Sequence, residues 1–80
     1  KYNLELFYFP ECPYCQRVLR TIEQLGLTDI TFSDIHQNPA KKETLIKDTG
    51  RKTVPCLYID NKPMFESSDI MQWLETNTKK

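Results

Sequence analysis

The chain has 80 residues, 39% apolar and 28% charged, a length and composition typical of one globular domain, which we expect to span residues 1–80. Eleven basic residues balance eleven acidic residues, so no net charge favours nucleic acid or an anionic membrane surface. No apolar run is long enough to span a bilayer, and no secretory signal is visible. We therefore expect no nucleic-acid partner and no membrane partner.

The first unit of the chain is predicted to be a strand, a turn and a helix. Leu4–Phe9 is an aromatic-rich apolar run, which is typical of a strand buried on both faces. Apolar residues then recur at helical spacing over Tyr14–Leu25. Pro13 suits the first helical position and Gly26 suits the C-cap, so both ends of this helix are marked in the sequence.

The remaining elements complete the order β-α-β-α-β-β-α. They are predicted as a strand at Ile30–Ile35, a helix at Ala40–Thr49, a strand at Val54–Ile59, a tight turn at Asp60-Asn61, a short strand at Lys62–Phe65, and a helix capped by Ser67 or Ser68. A strand–helix–strand opening implies a right-handed crossover with parallel strands, and the closing hairpin extends the same sheet. The predicted fold is α/β and thioredoxin-like, with a four-stranded mixed sheet and three helices.

The three cysteines are unevenly distributed, with Cys12 and Cys15 close together and Cys56 alone. A disulfide scaffold in a small secreted protein needs an even set of cysteines spread along the chain. This distribution instead favours a redox or metal protein in a reducing compartment, and we expect a cytoplasmic location.

The segment Cys12-Pro13-Tyr14-Cys15 lies between the first strand and the first helix, which predicts a redox-active dithiol. A thiol at a helix N-terminus faces unpaired backbone N–H groups and the positive end of the helix dipole, and both favour the thiolate. We therefore predict that Cys12 is the nucleophile. Cys15, nearly one turn into the helix, is predicted to resolve the mixed disulfide.

A zinc site is the main alternative for a CxxC pair, because such a pair can supply half of the usual four ligands. The remaining imidazole and thiol, His36 and Cys56, lack the spacing of paired ligands, so we expect no metal. Cys56 is interpreted as a small core residue, with an accessory thiol as the alternative. His36 is assigned to a surface loop, and Trp73 and Phe32 to the core.

The segment Thr53-Val54-Pro55 opens the predicted third strand, where a proline forfeits a ladder hydrogen bond. A cis Val54–Pro55 bond would turn the neighbouring backbone toward the thiols, where it can pair with an extended substrate by strand addition. The alternative is a trans proline on an edge strand.

These motifs resemble the glutaredoxin family over nearly the whole chain. CPYC, TGRKTVP, a strand, a tight turn and an acidic helix start follow one another in the glutaredoxin order, and CPYC is the motif of dithiol glutaredoxins. The resemblance implies glutathione-dependent reduction of protein disulfides and of glutathione mixed disulfides, with glutathione as the reducing co-substrate. It implies that Cys12 and Cys15 form the redox-active disulfide, and we expect a monomer.

The resemblance also implies a glutathione groove. Val54, beside Pro55, is expected to pair its backbone with the cysteinyl part of glutathione, with Thr53 flanking it. Tyr14 is expected to form a wall of the groove. Lys42 matches a polar or basic family position that meets the glycyl carboxylate, and a solvated helix lysine is the alternative.

Two departures from the glutaredoxin pattern change the expected contacts with glutathione. Phe9 stands where many glutaredoxins have a lysine, so one cationic contact is missing. The segment FESSDI, residues 65–70, replaces a Gly-Gly-Cys-Asp stretch and resembles the N-terminal domain of glutathione transferases. By that match Glu66 meets the ammonium of the γ-glutamyl end, and Ser67 meets its carboxylate, aided by N–H groups at the helix start. An ordinary capping serine is the alternative.

The leading hypothesis is a glutaredoxin-type enzyme, which attacks disulfides through Cys12, resolves through Cys15 and is re-reduced by glutathione. The alternative is a glutathione-binding N-terminal module of a transferase-like protein, which FESSDI favours. A third hypothesis, an iron–sulfur carrier bridged by Cys12 and glutathione, is disfavoured by Pro13 and by the resolving Cys15.

Overall fold

A computed structural model, which describes residues 2–78, has its elements in the predicted order. They are β1 (Leu4–Tyr8), α1 (Pro13–Leu25), β2 (Ile30–Asp34), α2 (Pro39–Thr49), β3 (Cys56–Ile59), β4 (Lys62–Met64) and α3 (Ser67–Thr78). The existence and type of every predicted element are confirmed. Within residues 2–78, no helix has both the length and the apolar character needed to cross a membrane.

The four strands form one mixed sheet in the order β2-β1-β3-β4. β1 pairs with β2 in parallel, and the β1–β3 and β3–β4 pairs are antiparallel, so the thioredoxin-like topology is confirmed. With these directions the carboxyl ends of β1, β2 and β4 and the amino end of β3 lie at the same edge of the sheet. The predicted site residues that flank these strand ends are therefore brought to one edge.

The helices begin and end where their terminal residues predict. Pro13 and Pro39 occupy first-turn positions of α1 and α2, where a missing N–H costs nothing. Gly26 adopts a left-handed conformation with φ 68° and donates its N–H to the Glu23 carbonyl at 3.1 Å, which closes α1. In α1 the buried side chains are Cys15, Val18 and Ile22, which form the apolar stripe that faces the sheet.

The core is divided between the two faces of the sheet. The α1/α3 face carries a large apolar cluster of Leu4, Leu6, Val18, Ile22, Leu57, Ile70 and Leu74. The α2 face carries a smaller cluster of Phe7, Ile35, Leu45, Cys56 and Tyr58. Cys56 is buried in this second cluster, so its assignment to the core is confirmed.

Phe32 was expected in the core, and that prediction is wrong because 46% of it is exposed. Phe32 lies on β2, an edge strand of the sheet, directly opposite Leu6 on β1. The ring of Phe32 packs edge-on against the ring of Tyr8, at a centroid distance of 6.0 Å. Trp73, the other predicted core aromatic, is partly buried against the α1/α3 cluster.

Several predicted element boundaries also shift. The pairing of β1 with β2 ends at Tyr8 opposite Asp34, one residue before the predicted end of each strand, and β4 likewise ends one residue early, at Met64. β3 begins at Cys56 rather than Val54, because its pairing with β1 ends at Cys56. The backbone of Thr53-Val54-Pro55 therefore precedes the ladder instead of belonging to it.

Candidate active site

Cys12 occupies the N-cap of α1, with extended backbone angles of φ −77° and ψ 119°. Its Sγ accepts the backbone N–H of Cys15 at 3.4 Å, and its carbonyl accepts the N–H of Gln16 at 3.0 Å. Its own N–H donates to the Phe9 carbonyl at 3.2 Å. The sulfur atom thus lies at the positive end of the helix dipole and accepts one of the N–H groups of the first turn of the helix, that of Cys15.

The two cysteines of the motif differ in access, and burial changes the proton affinity of Cys15. Both are free thiols; 6% of Cys12 is exposed, and Cys15 is fully buried. The pKa of Cys15 is raised to about 12, chiefly by burial and further by the hydrogen bond and charge of Cys12, while a hydrogen bond with the Phe9 backbone lowers it. At neutral pH Cys15 therefore keeps its proton, and Cys12 is the more accessible sulfur.

A cavity of about 320 Å³ lies next to the dithiol, lined by Tyr14, Thr53, Val54, Pro55, Glu66 and Ser67. The structure thus brings together six of the seven residues that sequence comparison assigned to the groove. Lys42 is not among the lining residues; it is half-buried in α2. The Val54–Pro55 peptide bond is cis, as predicted. The binding roles of all seven residues stay predictions.

Glu66, at the start of α3, has a left-handed backbone with φ 72°, which is uncommon for a residue with a side chain. Its carbonyl accepts the N–H of Ile70 at 3.0 Å, the first hydrogen bond of the helix. The cap position is therefore Glu66, and the prediction that Ser67 or Ser68 is the cap is wrong, since both serines lie inside the helix.

Sequence analysis missed a contact between the two walls of the cavity. The guanidinium carbon of Arg51 lies 5.0 Å from the ring centroid of Phe65, which is cation–π geometry. Arg51 precedes the Thr53 wall and Phe65 precedes the Glu66 wall, so this contact ties one wall to the other. Spacing alone gave no signal for it, because it depends on the β3–β4 hairpin bringing the two segments together.

His36 was assigned to a surface loop, and it is exposed, but its ring has a specific partner. It stacks on Phe9 at a centroid distance of 4.2 Å and an interplanar angle of 14°. Its Nδ1 lies 3.6 Å from Oε1 of Glu11. The parallel pairing of β1 and β2 is the sequence signal that could have found this contact, because it brings the residues after the two strands together.

His36 and Cys56, the two residues considered as further zinc ligands, lie in different surroundings. His36 stacks on the surface, whereas Cys56 is buried in the α2-face cluster and burial raises its pKa to about 12. Over residues 2–78, no group of three or more His, Cys, Asp or Glu side chains is placed to hold a metal ion.

Comparison with known proteins agrees with this geometry. The family profile "Glutathione S-transferase, N-terminal domain" matches residues 6–80. Glutaredoxin 3 of Escherichia coli (strain K12) is 38% identical over 60 residues, which cover 72% of this chain and 69% of that protein. The chain therefore belongs to the thioredoxin-like proteins that comprise the glutaredoxins and the N-terminal domains of glutathione S-transferases, and both resemblances found in the sequence are confirmed.

Solved structures show the same fold. A glutathione transferase of Bombyx mori superposes with a TM-score of 0.79 at 23% identity, covering 96% of this chain and 36% of that chain. Oxidized glutaredoxin 2 from Chlamydomonas reinhardtii superposes with a TM-score of 0.72 at 20% identity, covering 96% of this chain and 75% of that chain. The chain thus spans about a third of the length of the transferase. Together the matches support an oxidoreductase- or transferase-type enzyme.

Proposed function

We propose that this chain is a glutaredoxin-type thiol–disulfide oxidoreductase that reduces protein disulfides and glutathione mixed disulfides, with glutathione as its reducing co-substrate. The observation that carries this proposal is the position of the cavity. Tyr14, inside the CPYC motif, is also a wall of the cavity. A ligand there contacts a residue that stands between Cys12 and Cys15 in the chain, and the volume of about 320 Å³ is within the rough 300–1,000 Å³ range of small-molecule sites.

In the first step, the Cys12 thiolate attacks one sulfur of the substrate disulfide. A new S–S bond forms to Cys12, the substrate bond breaks, and the other substrate sulfur leaves as a thiolate that takes a proton from water. The hydrogen bond from the Cys15 N–H to Cys12 Sγ supports this step, since it stabilises negative charge on the attacking sulfur.

In the second step, the mixed disulfide at Cys12 is broken in one of two ways. Cys15 attacks Cys12 Sγ, so that the Cys12–Cys15 bond forms and the substrate sulfur leaves as a thiolate that takes a proton; or, where Cys12 carries glutathione, a second glutathione attacks the glutathionyl sulfur, so that oxidised glutathione forms and the Cys12 thiolate is released. Two glutathione molecules return the Cys12–Cys15 disulfide to the dithiol by the same exchange and leave as oxidised glutathione.

Two of the causes that raise the pKa of Cys15 are its hydrogen bond with Cys12 and the charge of Cys12. The charge is removed once Cys12 carries a substrate, so one cause that raises the pKa of Cys15 is absent and its thiol loses its proton more readily in the mixed disulfide than beside a Cys12 thiolate. This change favours Cys15 as the resolving thiol.

We propose that the cavity walls bind glutathione. The backbone of Val54, which lines the cavity and precedes the β1–β3 ladder, is proposed to pair with the extended cysteinyl part of the peptide. At the other wall, Glu66 is proposed to meet the γ-glutamyl ammonium, and Ser67, with the N–H groups of the first turn of α3, the carboxylate. Lys42 remains a proposed contact for the glycyl carboxylate, outside the cavity lining.

We further propose that residues 1–80 act as one domain, as a monomer, in the reducing environment of the cytoplasm. The support for a reducing compartment is the cysteine distribution, since a close Cys12–Cys15 pair with a single further cysteine is not the even, spread set of a secreted disulfide scaffold.

Turnover of a glutathionylated small disulfide by glutathione tests the proposal. The wild-type chain and Cys15→Ser should both be active, because removal of glutathione from a mixed disulfide needs only the first thiol. Cys12→Ser should be inactive, and Cys56→Ser serves as the control that leaves both thiols of the motif in place. Retained activity in Cys12→Ser would sink the assignment.

A transferase-type glutathione-binding module is the second candidate, favoured by the match of residues 6–80 to the transferase N-terminal family. Two measurements separate the candidates. Calorimetry measures the binding of glutathione to Cys12→Ser, and the turnover assay measures disulfide reduction by the wild-type chain. A chain that binds glutathione through Glu66 and Ser67 but reduces no disulfide is a binding module. A chain that binds glutathione and also reduces the glutathionylated disulfide is an oxidoreductase.

A further inference from the structure

Phe9 links the active-site dithiol to the end of the neighbouring strand. Its carbonyl accepts the N–H of Cys12 at 3.2 Å, so it anchors the residue that carries the nucleophilic sulfur. Cys15 in turn donates its N–H to Cys12 Sγ at 3.4 Å. Any group that holds Phe9 in place therefore also holds the turn that carries Cys12, and through Cys12 it holds the dithiol.

His36 is such a group. Its ring lies nearly parallel to the ring of Phe9, at 4.2 Å between centroids, which is the geometry of a favourable stack. The loop that carries His36 is itself fixed, because Asp34 Oδ1 accepts the His36 N–H at 2.8 Å and the Gln37 N–H at 3.1 Å. Glu11 is the other charged group beside the imidazole, with Oε1 3.6 Å from Nδ1.

We propose that His36 is a positioning residue for the dithiol, which acts by stacking on Phe9 and so holds Cys12 and Cys15 in the arrangement that favours their disulfide. This inference rests on the proposed redox function and adds to it a residue outside the glutathione groove. The reaction that His36 is proposed to affect is the exchange of the Cys12–Cys15 dithiol with oxidised glutathione. The Cys12–Cys15 bond forms, the glutathione S–S bond breaks, and two thiol protons and two electrons pass to give two molecules of reduced glutathione.

The direction of the effect follows from proximity. A fixed backbone keeps each thiol within reach of the other, and this raises the effective concentration for ring closure. Without the stack, Phe9 and the turn that follows it gain freedom, so the disulfide becomes less favoured relative to the dithiol. The equilibrium constant for disulfide formation should fall by up to about tenfold. The loss of a whole aromatic stack sets this upper bound, because only the part of its energy that differs between the disulfide and the dithiol shifts the equilibrium.

The experiment equilibrates the full chain in defined mixtures of reduced and oxidised glutathione, then traps free thiols with an alkylating agent and measures the oxidised fraction. His36→Ala and His36→Gln remove the stack. His36→Phe keeps an aromatic ring but has no nitrogen to meet Glu11, and Glu11→Gln removes the carboxylate beside the imidazole. Circular dichroism checks that each variant is folded, and His36 is exposed, so its replacement leaves the core intact.

The expected result is a lower disulfide equilibrium constant in His36→Ala and His36→Gln, and a value within about twofold of wild type in His36→Phe and Glu11→Gln. An unchanged or higher constant in His36→Ala and His36→Gln overturns the inference. Equal losses in His36→Phe and Glu11→Gln also overturn it, since the contact then acts through charge. A wild-type chain that forms no Cys12–Cys15 disulfide overturns this inference and the resolving role of Cys15, whereas the proposed function is tested separately, by turnover of a glutathionylated disulfide. The other outcomes leave the proposed function standing.

Discussion

The two faces of the sheet are held in different ways. On the α1/α3 face, both helices pack against each other and against the strands through one large apolar cluster. On the α2 face, Leu45 is the only buried side chain of the helix, and polar contacts complete the attachment. Lys41 Nζ lies 3.0 Å from Glu5 Oε2, Ser33 donates to the same oxygen at 2.6 Å, and Tyr58 donates to Asp48 Oδ2 at 3.0 Å.

This difference affects the site, because the segments that line the groove and the residue that anchors Cys12 pack against the α2 face, which has the smaller apolar cluster. Phe9, Val54 and Phe65 all pack against the α2-face cluster. Because the larger apolar cluster lies on the α1/α3 face, that face supplies most of the apolar burial that stabilises the fold. The α2 face positions the segments around Cys12, and changes there should affect activity more than their effect on stability suggests.

A matched pair of truncations should give the largest contrast. Leu74 in α3 and Leu45 in α2 are both fully buried, so Leu→Ala removes the same atoms from each. Leu74→Ala should lower the free energy of unfolding by about 3–5 kcal/mol, and Leu45→Ala by about 2–3 kcal/mol, because α2 can shift over the cavity more easily than α3. Urea denaturation followed by circular dichroism measures both values.

The same pair should show the reverse order in activity. Leu45→Ala is expected to raise the KM for a glutathionylated substrate, because Phe9, Val54 and Phe65 lose part of their support. Leu74→Ala, assayed where it is folded, should leave the KM close to that of wild type. Equal KM values for the two variants would contradict the inference that the α2 face positions the site while the α1/α3 face mainly stabilises the fold.

Alkaline pH should weaken the α2 face through Cys56. Burial raises the pKa of this thiol from its usual value near 9 to about 12, so the folded state favours the protonated form. The stabilisation is fully present below pH 9 and is lost as the pH rises toward 12, at about 1 kcal/mol per pH unit for this group. Urea titrations of the reduced protein at pH 8, 9 and 10 should show this slope.

Cys56→Ala is the matched variant for this effect, since it removes the titrating group and little volume. Its free energy of unfolding should fall less steeply above pH 9 than that of wild type. Part of the slope should remain, because Cys15 is also buried with its pKa raised to about 12. Identical slopes in wild type and Cys56→Ala would show that Cys56 does not control the alkaline loss.

Local sequence signals were sufficient for most of the fold. The proline at the start of α1, the glycine after it and the period of its apolar residues placed the helix correctly, because each depends only on near neighbours. Phe32 was misplaced for the opposite reason. Whether an alternating strand is covered depends on its position in the sheet, and β2 lies at an edge.

The parts of the site that lie within short sequence motifs could be predicted from the sequence. The contacts between residues that are distant in the sequence could not. Five of the six cavity residues belong to two short segments that flank a hairpin, and the sixth, Tyr14, belongs to the CPYC motif. The Phe9–His36 stack joins residues 27 positions apart in the sequence, and the Arg51–Phe65 contact crosses the groove. Neither contact has a local signal, since both arise from the register of paired strands.

The smallest expected effect concerns the polar contacts of the α2 face. Tyr58→Phe removes the hydroxyl that donates to Asp48 but keeps the ring, which packs against Phe7 at a centroid distance of 5.2 Å. Since Asp48 is exposed and can be hydrated instead, the loss should be about 0.5–1 kcal/mol, at the low end for a hydrogen bond to a charged group. Tyr2→Phe is the control, because Tyr2 is exposed and its contact with Trp73 uses the ring alone. If Tyr58→Phe cost as much as Leu45→Ala, the polar contacts would hold α2 as strongly as its buried leucine does, and the two faces would differ in chemistry but not in strength.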